Sequence, residues 1–148
     1  MKLYRRVLHP TDFSKASRRA FDHAVALAKR ERAELLLLHV MTPPAPFVGN
    51  GYVSPKTYED LEAAALHSAE SQMTTALAKA KKAGGRVTAI LSEGVPFEQI
   101  VRTAKSKRAD LIVIGTHGRT GFSRLFLGSV AERVIQLAPC PVLTVRSR

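Results

Sequence analysis

Hydrophobic positions along the chain alternate between two periods. Short apolar runs, Val7-Leu8-His9, Leu35 to Val40, Arg86 to Leu91, Leu111 to Ile114 and Val142 to Val145, are too brief for helices and read as strands. Leu35 to Val40 is apolar throughout, as expected of a strand covered on both faces. Between the runs the spacing changes to that of amphipathic helices. Phe21, Ala24, Val25 and Ala28 share one face of the first, with Lys and Arg on the other. Leu61, Ala65, Ala69, Met73, Ala76 and Ala80 share one face of a long helix from about Lys56 to Ala83, which Gly84-Gly85 stops. Gly94-Val95-Pro96 opens a third helix, with Ile100, Val101 and Ala104 as its buried face. A fourth begins at Gly128-Ser129 and ends near Ala138, where Pro139 and Pro141 bracket its end. The sum is five strands alternating with four helices, hence one α/β domain: a doubly wound parallel sheet with helices on both faces. Met41 to Pro55, with four of the eight prolines and two glycines, reads as a long loop.

In such a sheet ligands bind beyond the strand C-termini, where the winding reverses. With the first and fourth strands as central neighbours, Pro10-Thr11-Asp12 and Gly115 to Arg119 meet at that crevice, and Val40 lies at its flank. The stretch Asp110 to Glu132, DLIVIGTHGRTGFSRLFLGSVAE, holds most of the chemistry. Its strand ends at Gly115, and Gly118, Gly121 and Gly128 follow with Arg119 and Arg124. A glycine-rich basic loop leading to a helix N-terminus suits an anion, because first-turn amides lack internal partners and the helix dipole favours negative charge. A plain tight turn is the competing account. No Gly-Lys-Ser/Thr follows, and the spacing is not G-x-G-x-x-G, so a different anchoring geometry is required. Ser129 and Glu132 have capping-box spacing. The Ser129 hydroxyl then has two claimants, capping the helix when the site is empty and turning to a phosphate when it is filled. Asp12, just after the first strand, is placed to cap the first helix.

Composition narrows the classes. At 148 residues and 45% hydrophobic content the chain supports one core. No apolar run approaches the length of a membrane helix, no signal peptide opens the chain, and the lone Cys140 pairs with nothing internally, so the expectation is a cytoplasmic protein with no membrane association. The net charge is +11, and residues 71–148 carry +9 of it. That attracts phosphate-bearing partners. The lysines and arginines are scattered, and neither tryptophan nor an aromatic-interleaved basic stripe is present, which speaks against nucleic acid. His9, His39 and His117 fall near strand ends or in the loop and invite a pocket-lining or zinc reading, although no short-range ligand pair supports zinc. Magnesium carried in with phosphates fits better, since it prefers oxygen.

Gly115-x2-Gly118-x9-Gly128-Ser129 resembles the nucleotide-binding motif of the universal stress protein family, in its ATP-binding subclass. Pro10-Thr11-Asp12-Phe13-Ser14 is similar to that family's N-terminal signature, and the tail from Gly128 through Val142 is also typical of it. The resemblance spans the whole chain. It implies a sheet order of 3-2-1-4-5, a homodimer, ATP at the crevice, and a regulatory or protective role under stress. By position, Pro10 and Thr11 lead to Asp12, which would hold the ribose hydroxyls. Val40 would meet the adenine through its backbone. Gly115, Thr116, His117, Gly118 and Arg119 would line the phosphate path, and Gly128, Ser129 and Val130 would bind phosphates through amides and the Ser129 hydroxyl. Val142 to Val145 reads as an edge strand whose unpaired groups a second copy would satisfy about a two-fold axis. An enzyme that hydrolyses ATP or transfers a phosphoryl group is the main alternative. It lacks an evident general base, a phosphate-loop lysine and a two-metal carboxylate set, so the expectation is binding without efficient turnover.

Overall fold

A computed structural model describes residues 1–49, 51–117 and 127–147. The expectations placed on Gly118, Arg119, Gly121 and Arg124 fall outside these residues. The elements run β1 (Arg6–Pro10), α1 (Lys15–Glu31), β2 (Glu34–Met41), β3 (Phe47–Val48), β4 (Gly51–Tyr52), α2 (Pro55–Lys82), β5 (Arg86–Glu93), α3 (Pro96–Ser106), β6 (Leu111–Gly115), α4 (Ser129–Leu137) and β7 (Val142–Val145). The main sheet has the order β5-β2-β1-β6-β7, and every pairing in it is parallel. With the β3–β4 pair set aside, this is the 3-2-1-4-5 order.

The strand repeat of two divides the core. Val7, Leu35, Leu37, Leu111 and Val113 meet Phe21, Ala24 and Ala28 of α1 and Met73 and Ala80 of α2. Leu8, Leu36, Leu38, Ile112 and Ile114 meet Ile100 and Ala104 of α3 and Ala131 and Val134 of α4. With both faces covered, the central strands are apolar at consecutive positions, as their sequence requires.

Three details differ from the sequence reading. Within the proline-rich segment, β3 and β4 pair antiparallel, Phe47 with Tyr52 and Val48 with Gly51. Gly49 takes φ +62°, which a side chain rarely tolerates, and the Phe47 and Tyr52 rings stack with centroids 4.7 Å apart. Only the second half of the α2 stripe is covered. Ala69, Met73 and Ala80 are buried and Ala76 half-buried, whereas Ala65 is exposed and Leu61 keeps 41% of its surface. Length explains this: 28 residues of helix span about 42 Å, and the eight-residue β2 and β5 only about 26 Å. Val101 is half-buried, and Thr103 lies on the buried face of α3 instead.

Candidate functional site

β1 pairs with β2 on one side and β6 on the other, yet α1 crosses to one face of the sheet and α4 to the opposite face. The connections leaving β1 and β6 therefore diverge and leave a crevice at the strand C-termini. A cavity of about 420 Å³ opens there. Pro10, Thr11, Asp12, Val40, Gly115, Thr116, His117, Gly128, Ser129 and Val130 all line it. The other two expected residues, Gly118 and Arg119, lie outside the described residues. Sequence reasoning missed part of the wall: Thr42, Pro96, Ile100 and Ile114 also face the cavity. Ile100 was legible only as a core position, since a helix stripe does not announce that its first turn borders a crevice.

The turn after β1 is held by its own polar side chains. Thr11 N–H donates to the Leu38 carbonyl at 2.8 Å, and Thr11 Oγ1 accepts from Phe13 N–H at 3.0 Å. Asp12 Oδ1 accepts from Ser14 N–H at 2.9 Å, so Asp12 closes a turn two residues onward and is not the helix cap. Ser14 caps α1 instead, its hydroxyl accepting from Ser17 N–H at 3.2 Å.

The start of α4 is built differently. Gly128, not Ser129, is the N-cap, with φ −62° and ψ 149°, and among the described residues no side chain caps this helix. Gly128 N–H donates to the Thr116 carbonyl at 2.7 Å. A Cβ on Gly128 would stand 2.8 Å from that same carbonyl oxygen, so only glycine fits without movement. The capping box expected of Ser129 and Glu132 does not form. A box needs serine in the extended cap conformation, and Ser129 is already helical, one residue too late. The idea that Ser129 alternates between capping and phosphate falls with it. The first intrahelical bond runs from Glu132 N–H to the Gly128 carbonyl at 3.0 Å. The amides of Ser129, Val130 and Ala131 precede it, at the positive end of the helix dipole, and all three residues line the cavity.

The three histidines part company. His9 is fully buried on the α1 face and does not line the cavity. Its Nδ1–H donates to the Val113 carbonyl at 2.8 Å, and its ring meets Phe21 edge-on at 5.9 Å. Burial lowers its pKa from 6.5 to about 4, outweighing the opposing pull of the Val113 carbonyl and of Asp12, so the ring is neutral. His39 does line the cavity, donating from Nδ1 to the Thr11 carbonyl at 2.8 Å. His117 pairs with Thr116 Oγ1 at 2.9 Å. Among the described residues no three His, Cys, Asp or Glu side chains converge as metal ligands. Cys140 is half-buried with its pKa raised, by desolvation first and by the negative Asp110 second, so its thiol stays protonated.

Apolar walls at Val40, Pro96, Ile100 and Ile114 with polar groups at the ends match the composition of a small-molecule pocket, and the volume lies in the usual range. A flat heteroaromatic ring suits the walls, and an anion suits the α4 amides. No helix among the described residues is long and apolar enough to cross a membrane.

Comparison with known proteins bears on this geometry. The model of the universal stress protein family matches residues 3–146. Universal stress protein MJ0531 of Methanocaldococcus jannaschii is 39% identical over 144 residues, covering 97% of this chain and 83% of that one. The solved structure of MJ0577 superposes with a TM-score of 0.87 at 31% identity, covering 99% of this chain and 98% of its own. A universal stress protein crystallised in complex with cAMP superposes at 0.72 with 27% identity and 98% coverage of each chain.

Proposed function

Because the chain belongs to the universal stress protein family, we propose that its crevice binds an adenine nucleotide, ATP with magnesium foremost, and that the protein is a nucleotide-responsive regulator or protectant in stress. The observation that carries this reading is the start of α4. Gly128 brings bare backbone against Thr116, and Ser129 and Val130, whose amides precede the first intrahelical bond, line the cavity with no capping side chain on them among the described residues. The cAMP complex of a relative supports an adenine nucleotide as the ligand class.

In this arrangement the adenine lies between Val40 and the apolar wall from Pro96 and Ile100, with the Val40 backbone reading its edge. Asp12 accepts from the ribose hydroxyls. The phosphates run past Gly115, Thr116, His117, Gly118 and Arg119 to the amides of Gly128, Ser129 and Val130, and Ser129 Oγ donates to a phosphate oxygen. Magnesium neutralises the phosphates and keeps most of its waters. On this reading the protein binds its nucleotide without efficient turnover, and the described lining residues are in keeping with that. Among the described lining residues Asp12 is the one carboxylate, its Oδ1 engaged with Ser14 N–H, and none is a lysine. The same reading makes the protein a homodimer through Val142–Val145. β7 ends the sheet, and Leu143 on it keeps 40% of its surface.

Mass spectrometry of nucleotide released from purified protein, followed by titration of the stripped protein with ATP, ADP and AMP, tests the proposal. Saturable one-to-one binding is expected, at the sedimentation mass of two chains. Sustained ATP hydrolysis abolished by Ser129→Ala would favour the enzyme reading instead.

A further inference from the structure

Phe13 has φ +61°, the left-handed region that a bulky side chain seldom enters without compensation. The compensation is visible on both sides of it. Its N–H is taken by Thr11 Oγ1 at 3.0 Å, and its ring lies 4.5 Å from the His39 ring at an interplanar angle of 37°. His39 in turn donates to the Thr11 carbonyl at 2.8 Å. Thr11 is thus fixed through its N–H by Leu38, through its carbonyl by His39 and through its hydroxyl by Phe13. Asp12 is the next residue. The fold-back at Phe13 brings Ser14 N–H to Asp12 Oδ1, which sets the carboxylate's rotation. Strain held by packing at the rim of a cavity, around one carboxylate, is the pattern of a pre-organised site.

We propose that Phe13 and His39 act as a clamp that aims the Asp12 carboxylate at the sugar, and that both are positioning residues for selecting a ribose over a sugar without hydroxyls. The inference rests on the nucleotide reading above, and it concerns two residues to which that reading assigns no contact with phosphate or base. A carboxylate can accept two vicinal hydroxyls only if it is turned toward both, and the clamp removes the freedom to turn away.

The test is calorimetric titration of ATP and of 2′,3′-dideoxy-ATP into the intact protein and three variants. Wild type is expected to bind ATP about tenfold tighter than the dideoxy analogue, the size of a hydrogen bond to a charged group. His39→Ala reduces that ratio to below about threefold by weakening ATP more than the dideoxy analogue. His39→Asn puts an amide N–H where Nδ1–H stood and restores most of the ratio. Phe13→Gly adopts the same φ freely but has no ring, and it lowers the ratio by about half as much, on a logarithmic scale, as His39→Ala. Equal loss of both ligands in His39→Ala and Phe13→Gly would reduce the clamp to an ordinary fold contact and overturn the inference. So would an unchanged ratio in those variants. A wild type that binds the two ligands equally overturns it while leaving nucleotide binding intact. One that binds neither brings down the nucleotide reading and the clamp together.

Discussion

Two helix starts border the crevice, and they resolve the same physical problem in opposite ways. Every helix begins with amides that lack internal partners. At α1 one such amide, Ser17 N–H, is taken by Ser14 Oγ, and the preceding turn bonds its own amides as well, Phe13 N–H to Thr11 Oγ1 and Ser14 N–H to Asp12 Oδ1. At α4 the cap is a glycine with nothing to offer, pressed against the Thr116 carbonyl. One start is capped by a side chain of its own chain and the other is not, and on the nucleotide reading the ligand's phosphates take that place. If phosphate binds at α4 as proposed, the contrast teaches that an anion site is made as much by withholding a capping side chain as by supplying a helix dipole.

Perturbing the two sides should therefore have separable consequences. The largest concerns His9, in the core behind the α1 side. Its folded pKa of about 4 lies below the unfolded 6.5, so the folded state holds fewer protons between those values. Its contribution to stability is intact above about pH 6.5 and is lost progressively as pH falls toward 4. The full loss is about 3 kcal/mol. His9→Asn, which cannot take up that proton, should flatten the wild-type decline in denaturant midpoint over this window.

Gly128→Ala attacks the α4 side. Its Cβ meets the Thr116 carbonyl at 2.8 Å, so the α4 start must move away from β6. Nucleotide affinity should fall about 100-fold in calorimetry, or about 2.7 kcal/mol, with a cost in stability of about 1–3 kcal/mol.

The two serines make the sharpest pair. Ser14→Ala removes a cap and should cost about 1 kcal/mol, seen as a melting temperature lower by roughly 2–6 °C, while affinity stays within about twofold. Ser129→Ala removes no cap, so melting should hold while affinity drops about fivefold, one neutral hydrogen bond's worth. If Ser129→Ala lowers the melting temperature as Ser14→Ala does, the two helix starts are not different in kind.

Much of this was legible before any coordinates. The alternation of β-branched runs with helical stripes is consistent at every level, and it yields the parallel sheet and its crevice. Pro10-Thr11-Asp12 and Gly128-Ser129 lie 118 residues apart and still line one cavity, because the topology rule alone brings strand C-termini together. The failures were local. β3 and β4 have two residues each, too few for a period of two to register. The cap of α4 lies one residue earlier than the serine suggests, because a contact with Thr116, distant in sequence, selects Gly128. The α2 stripe predicts an apolar face but not how far the sheet beneath it extends. His9 alternates with Leu8, and which of the two faces α1 becomes known only when the helix is placed.

The central claim is that the α4 amides, and not those of α1, receive the phosphates. Titrating ATP with magnesium into isotopically labelled, ligand-free protein and following backbone amide resonances tests it directly. Large saturating shifts at Gly128, Ser129 and Val130, with Lys15, Ala16 and Ser17 nearly stationary, are the predicted result. Shifts concentrated at the α1 start, or none at either helix at saturating nucleotide, would contradict it.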